Sequence, residues 1–170
     1  MVSSTPAIAC GIDFGTSNST VGWLRPQQAT LLPLEDGKPT LPSVVFFNAE
    51  ENSVRFGRAG LQEYLEGYEG RLMRSLKSLL GSSLIDGRTD VNGRPVHFRH
   101  LLRDFIATLK LRAERSAGRT FDEVVMGRPV FFVDDDPAAD QLAEDTLATI
   151  AREVGFRSVS FQYEPIAAAF

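Results

Sequence analysis

Residues 8–22 read Ile8-Ala-Cys-Gly-Ile-Asp13-Phe-Gly15-Thr16-Ser17-Asn18-Ser-Thr-Val-Gly22. Two apolar runs, 8–14 and 20–24, flank a short polar segment, which is the pattern of a β-hairpin with its turn at 15–19. Gly15 removes a Cβ where the backbone bends, and Thr16, Ser17 and Ser19 set hydroxyls beside main-chain N–H groups. Such a turn makes a concave nest of donors that suits phosphate. Asp13 reaches the turn from the end of a buried strand, where a carboxylate is costly unless it meets a cation or several donors. A hydrated Mg2+ bridging phosphate oxygens would satisfy it, because that ion keeps most of its waters and needs only one or two carboxylates. On these residues alone, an ordinary hairpin with Asp13 capping its own turn stays open. The chain has no Gly-x-x-x-x-Gly-Lys-Ser/Thr and no Gly-x-Gly-x-x-Gly opening a helix, so any phosphate would rest on a hairpin.

The 170 residues are 43% hydrophobic and 24% charged with a formal net charge of −4, the composition of one globular domain or two small subdomains. No apolar run approaches the ~20 residues of a membrane span, and no basic region followed by an apolar stretch opens the chain. Neither membrane nor secretion is expected, and a cytoplasmic location is. Cys10, the single cysteine, excludes an internal disulfide and suits a reducing compartment. Its place in the first strand makes it a small core residue. The acidic balance argues against nucleic acid as a partner.

Outward from the hairpin, 29–34 reads as a third strand, 35–39 as a turn, 40–47 as a strand with Pro42 at its start, and 54–56 as a short strand. From Gly57 the hydrophobic period changes from 2 to 3.6. Ala59, Leu61, Tyr64 and Leu65 mark one helix, and Leu72, Leu76, Leu79 and Leu80 a second, short one. Asn92-Gly93 is the turn of a hairpin around Val91 and Val96, and 101–117 is an amphipathic helix ahead of Gly118. Residues 122–133 form a nearly continuous apolar run, expected as a strand buried on both faces of a parallel sheet and ending near Gly127-Arg128, before Pro129. A helix over 137–154 with Pro137 in its first turn, a strand over 159–163 and a helix begun by Glu164-Pro165 complete the reading. The expectation is an α/β fold in which 1–56 and 119–170 form a core carrying the phosphate hairpin and 57–118 an inserted, mostly helical subdomain.

Three separated segments together carry a resemblance. Gly11-Ile-Asp-Phe-Gly-Thr-Ser-Asn-Ser19 resembles the first phosphate motif in the actin-like ATPase domain of the 70-kDa heat-shock chaperone (DnaK) family, usually Gly-Ile-Asp-Leu-Gly-Thr-Thr-Asn-Ser. Lys77-Ser-Leu-Leu-Gly81 resembles that family's Lys-Arg-Leu-Ile-Gly, and Tyr163-Glu-Pro-Ile-Ala-Ala-Ala169 its Asn-Glu-Pro-Thr-Ala-Ala-Ala. Order and spacing agree over essentially the whole chain, which matches the first half of the family's nucleotide-binding domain. The Phe161-Gln-Tyr-Glu-Pro165 ending and Gly127-Arg-Pro129 look most like the divergent YegD-type members.

The resemblance implies a ribonuclease-H-like, actin-like ATPase fold whose first lobe is a mixed sheet with flanking helices, and it implies ATP or ADP with Mg2+. By the same resemblance Asp13 faces the Mg2+ shell through water, and Gly15, Thr16, Ser17 and Asn18 hold phosphates. Lys77 reaches the γ-phosphate and the attacking water, Glu164 helps position that water, and Pro129 falls where the family places a proline tied to domain communication. Alone, Lys77 would be a solvated lysine at a helix end and Glu164 a carboxylate favoured by a helix dipole. The joint pattern reverses both readings. Phosphoryl transfer to water needs positioning and charge stabilisation more than covalent chemistry, so Asp13, Lys77 and Glu164 beside a nest form a coherent half-site.

The family's Asn-Asp-Ala-Gln-Arg, after its Pro-Ala-Tyr-Phe, is here Val133-Asp-Asp-Asp-Pro137, with Phe131 in the tyrosine's place. The missing hydroxyl and arginine count against chaperone-type coupling to a peptide-binding domain. For a full-length ATP-hydrolysing chaperone-like protein the implied partners are nucleotide, client proteins and co-chaperones. A sugar-kinase-type phosphotransferase and a non-hydrolysing nucleotide-sensing or assembly scaffold are the alternatives on the same fold. Because Ala-Ala-Ala-Phe170 follows directly on a helix start, the sequence reads as a piece of something longer. Such a piece is expected to bind ATP weakly, to show no hydrolysis and to self-associate through an uncovered edge.

Overall fold

The computed structural model describes residues 8–164. In chain order its elements are β1 (Ala9–Phe14), β2 (Asn18–Gly22), β3 (Thr40–Pro42), β4 (Val45–Asn48), β5 (Ser53–Phe56), α1 (Arg58–Leu65), β6 (Gly70–Met73), a one-turn 3-10 helix (Leu76–Leu79), β7 (Arg88–Val91), β8 (Arg94–His97), α2 (Phe98–Ala117), β9 (Glu123–Arg128), α3 (Pro137–Glu153) and β10 (Ser158–Tyr163). β1 and β2 form the expected hairpin, antiparallel, with Gly11 opposite Gly22 and Phe14 opposite Ser19. β9 runs parallel to β1, and β10 parallel to β9. The result is a mixed five-stranded sheet of order β10-β9-β1-β2-β3, flanked by helices, in an α/β fold.

Strand alternation gives this sheet two unlike faces. Cys10, Ile12, Phe14, Val21, Val124 and Met126 point to a buried face. That face is covered by the apolar stripe of α2, in which Leu101, Leu102, Phe105, Ile106, Leu109 and Ala113 recur at helical spacing. Phe105 lies 5.7 Å from Phe14 between ring centroids and 6.4 Å from Phe56. Burying one such side chain contributes about 1.5–3 kcal/mol, so this seam fixes the register of helix on sheet. α3, capped by Asp136 through a 3.0 Å bond from the Ala139 N–H, buries Ala143, Leu147, Ile150 and Ala151 in the same cluster. The opposite face carries Ala9, Gly11, Asp13, Thr20, Gly22, Val125 and Gly127, and among the described residues no helix covers it.

Several expectations need correction. Residues 29–34 make only an isolated bridge, Gly22 to Leu31, rather than a strand. The run 40–47 splits at Ser43-Val44: β3 finishes the large sheet, with Pro42 at its end instead of its start, and β4 begins a second sheet of order β5-β4-β6. The stretch around Leu72 is strand β6, not helix, since Gly70 comes so close to β4 that a Cβ there would lie 2.1 Å from the Phe47 carbonyl oxygen. The apolar run 122–133 yields a strand covered on one face only, and Val125 is 37% exposed. Packing also runs across Gly57, where the hydrophobic period changes. The small sheet joins residues from both sides of it, 57–118 contains β6, β7 and β8 as well as helices, and α2 shares one hydrophobic cluster with the hairpin. α2 lays its apolar stripe on the bare face of the large sheet.

Candidate functional site

The parallel strands β1, β9 and β10 end side by side, and the open-face positions at those ends are Asp13, Gly127 and, one residue past β10, Glu164. Gly127 is the floor between the two carboxylates. A Cβ there would lie 3.3 Å from Glu164 Cγ and 3.8 Å from Asp13 Oδ1. Lys77 arrives from a different part of the chain and donates from Nζ to Glu164 Oε1, its side chain only 13% exposed. The 3-10 turn that carries it is anchored by buried Leu76, and Leu80 follows into the core. Gly81, at φ 75°, lets the turn approach the loop after β9, since a Cβ at that position would lie 2.3 Å from Val133 Cγ2. The Lys77-to-Gly81 spacing is thereby explained, with the glycine giving the clearance and the lysine placed at the strand ends.

Partial burial pushes the Asp13 carboxyl up from its ordinary value, the Glu164 charge pushes the same way and Lys77 opposes both. Two carboxylates and one ammonium make this corner net acidic, a setting that favours an added cation. Among the described residues no three His, Cys, Asp or Glu side chains cluster as a metal cage. A cation here would therefore take one or two carboxylates and complete its shell with water and ligand oxygens, which is how Mg2+ is commonly held.

Gly15, Thr16, Ser17 and Asn18, one residue beyond Asp13, form the turn, with Thr16, Ser17 and Asn18 exposed. Ser43 clamps this turn from behind. Its Oγ donates to the Gly15 carbonyl at 2.7 Å and lies 2.9 Å from Ser19 Oγ, while its N–H donates to the Ser17 carbonyl at 2.9 Å. With those carbonyls tied back, the N–H groups of Thr16 and Ser17 make no hydrogen bond among the described residues. A cavity of about 650 Å3 runs over the open face, lined by Gly11, Asp13, Thr20, Gly127, Gln162 and Glu164 among others.

All the residues expected to act together are thus at or beside one corner. Two contributors were not among the expected site residues. Ser43 is hidden inside an apparent strand, although Pro42-Ser43 interrupting an apolar run is a signal of a break, and Gly127 enters the sequence reading only for where β9 ends and for the Gly-Arg-Pro resemblance. The tightness of the turn gives a test. Gly15→Ala would put a Cβ 2.2 Å from the Asn18 carbonyl oxygen, a backbone atom that cannot swing away. The variant is expected to lose about 1–3 kcal/mol, the usual cost of forced overpacking, seen as a lower urea midpoint at unchanged slope.

Residues 9–100 match the family model described as Hsp70 protein. The chain belongs to the Hsp70 family. Over 95% of its length it is 29% identical to chaperone protein HscA of Salmonella typhimurium and 31% identical to a chaperone protein HscA homolog of Neisseria meningitidis serogroup B. It spans 28% of the length of each of these relatives. The part matched by the Hsp70 model holds Asp13, the 15–18 turn and Lys77, while Glu164 lies beyond it. Hsp70 membership carries with it the actin-like fold and, for the family in general, ATP or ADP with Mg2+. Among the described residues no helix is long and apolar enough to cross a membrane.

Proposed function

We propose that this Hsp70-family chain forms one wall of an ATP site and that the protein it belongs to is a chaperone-like ATPase of the YegD type, acting in the cytoplasm. The observation that carries the proposal is the convergence of residues 13, 77 and 164, far apart in sequence, at the C-terminal ends of β1 and β10 and on the 3-10 turn that reaches them, beside a clamped Gly-Thr-Ser-Asn turn. The residues present fit Mg-ATP. The N–H groups of Thr16 and Ser17, unbonded among the described residues, are donors for phosphate oxygens, the Asp13 carboxylate faces the open side, and Gly127 leaves the space between the carboxylates unfilled. Bound Mg2+ would neutralise charge on the phosphate oxygens.

The chain's own residues supply the rest. With Mg-ATP bound, Asp13 would accept hydrogen bonds from water on the metal, Lys77 would present a positive charge toward phosphate oxygen, and Glu164 would offer a carboxylate to orient the attacking water. These acts are positioning and electrostatic stabilisation, the main needs of phosphoryl transfer. Phe131, 60% exposed where the family has a tyrosine, and the absent arginine leave client-coupled cycling weaker than nucleotide turnover in this reading. Clients and co-chaperones remain its partners for the full-length protein.

Steady-state ATP turnover by the full-length protein, with Mg2+ present and with it chelated, tests the proposal. Turnover that needs Mg2+ and releases phosphate to water supports it. Transfer to a sugar hydroxyl, or binding without turnover, would replace it by the kinase or the scaffold reading. For the 170 residues alone, calorimetric titration with Mg-ATP is expected to give no affinity tighter than roughly millimolar, since a few screened contacts of about 1 kcal/mol each reach no further. A micromolar Kd would mean that this wall is a whole site.

A further inference from the structure

Behind the sheet, opposite the phosphate corner, lies a charged cluster that the proposed site does not use. Arg128, the last residue of β9, is 7% exposed, and all three guanidinium nitrogens are committed. Nε donates to the Pro129 carbonyl at 3.0 Å, and Nη2 to Asp140 Oδ2 at 2.8 Å and to the Val130 carbonyl at 3.3 Å. Nη1 donates to Glu144 Oε2. Asp140 and Glu144 are one turn apart on α3, so they present one face to the arginine. Asp140 also accepts from the Phe132 N–H at 2.6 Å, and the Arg128 hydrogen bond holds its carboxyl below its ordinary value. The guanidinium carbon sits 5.1 Å from the Phe132 ring centroid and 5.3 Å from that of Tyr163.

Tyr163 is the strand partner of Arg128 and directly precedes Glu164. β10 is an edge strand among the described residues, so no neighbour on its far side fixes where it ends. Tyr163 ends β10 on the buried face, and Glu164 directly after it lies over Gly127 on the open face, so a hold on Tyr163 from behind sets where the Glu164 carboxylate starts in front. We infer that Arg128 is a positioning residue that, through Tyr163 and the α3 carboxylates, fixes the Glu164 carboxylate against Lys77. The inference rests on the reading of Glu164 as part of the nucleotide site. It gives the otherwise costly burial of an arginine with two carboxylates a role in geometry rather than in net stability.

The test uses Arg128→Met in the full-length protein. Methionine retains an apolar stem against Phe132 and Tyr163 but has no fork. Two readouts are taken, the kinetics of Mg-ATP hydrolysis and the Lys77 ammonium 15N NMR signal, which pairing with Glu164 shields from solvent exchange. The expected result is a folded variant whose kcat falls about tenfold, whose KM for ATP stays within twofold and whose Lys77 signal is lost to exchange. Arg128→Lys, with the charge but not the fork, should recover only part of each. Wild-type kcat and an intact Lys77 signal in folded Arg128→Met would overturn the inference and leave Arg128 a tie between β9 and α3. If Arg128→Met does not fold, Asp140→Asn opens no cavity and is read by the same two signals and the same criteria. If the wild type hydrolyses no ATP, the proposed function fails, while the Lys77 signal still decides what Arg128 does.

Discussion

Lys77→Ala, made in the full-length protein, is expected to reduce ATP turnover by ~10²–10³ and to leave nucleotide affinity nearly unchanged. In the structure Lys77 is held by Glu164, not by solvent, and it lies next to Asp13 in a corner where two carboxylates compete for one ammonium. An ammonium in that position is worth most when negative charge builds on a phosphate oxygen, so its loss falls on kcat more than on KM. Removing it also leaves Glu164 and Asp13 facing each other without a counter-charge, which tends to hold Glu164 away from its place. Single-turnover hydrolysis separates this from slow product release. A fall of less than about threefold, well below the range for one lost charge-stabilising donor, would make Lys77 a partner of Glu164 and nothing more.

The largest effect on stability is expected away from the site, at Glu35. Its side chain is 8% exposed, and its carboxylate accepts from the Arg58 N–H at 2.6 Å and the Ala59 N–H at 3.4 Å. It also pairs with the Arg58 and Arg112 guanidinium groups at 3.5 and 3.0 Å. Helix α1 starts at Gly57 with no side-chain cap of its own, so a residue more than 20 positions upstream in sequence supplies the cap. Glu35→Ala strands the Arg112 guanidinium and two helix N–H groups and leaves Arg58 only its bonds to Thr40, and breaking a buried pair costs about 3–5 kcal/mol. For a chain of this size that lowers Tm by about 10 °C, at about 2–4 °C per kcal/mol. Glu35→Gln, which can still cap but carries no charge, should fall between. A loss under about 1 kcal/mol would place the cluster with ordinary surface pairs.

Glu35 also shows where sequence reading stops. Its neighbourhood, Glu35-Asp-Gly-Lys-Pro39, is a strong local turn signal, and nothing local tells that one of its side chains reaches two helices. What was legible came from periodicity and from capping chemistry: the hairpin at 8–22, the Asn92-Gly93 turn with both residues at positive φ, the stripe of α2 ending on Gly118 at φ 69°, and Asp136-Pro137 opening α3. What failed was decided by tertiary contact. Leu72 stands at helical spacing from Leu76 and Leu79 by coincidence: 76–79 is a one-turn 3-10 helix, whereas 70–73 is recruited as a strand by the free edge of β4. Of the candidate site, the motif residues were readable, and their meeting was expected through the resemblance alone, since neither periodicity nor spacing brings residues 13, 77 and 164 together. That Lys77 touches Glu164 over 87 positions follows from Gly81 packing on Val133 and from the parallel pairing of β9 and β10.

Ser43 stands at the joint between β3, which closes the large sheet, and β4, which opens the small one, and its hydroxyl and N–H both hold the turn at 15–18. The small sheet cannot tilt against the large one without dragging the Gly15 and Ser17 carbonyls with it. An anion held by the turn would therefore share one mechanical coordinate with any tilt of the two sheets: stiffening the turn would brake the tilt, and forcing the tilt would loosen the anion by the same free energy.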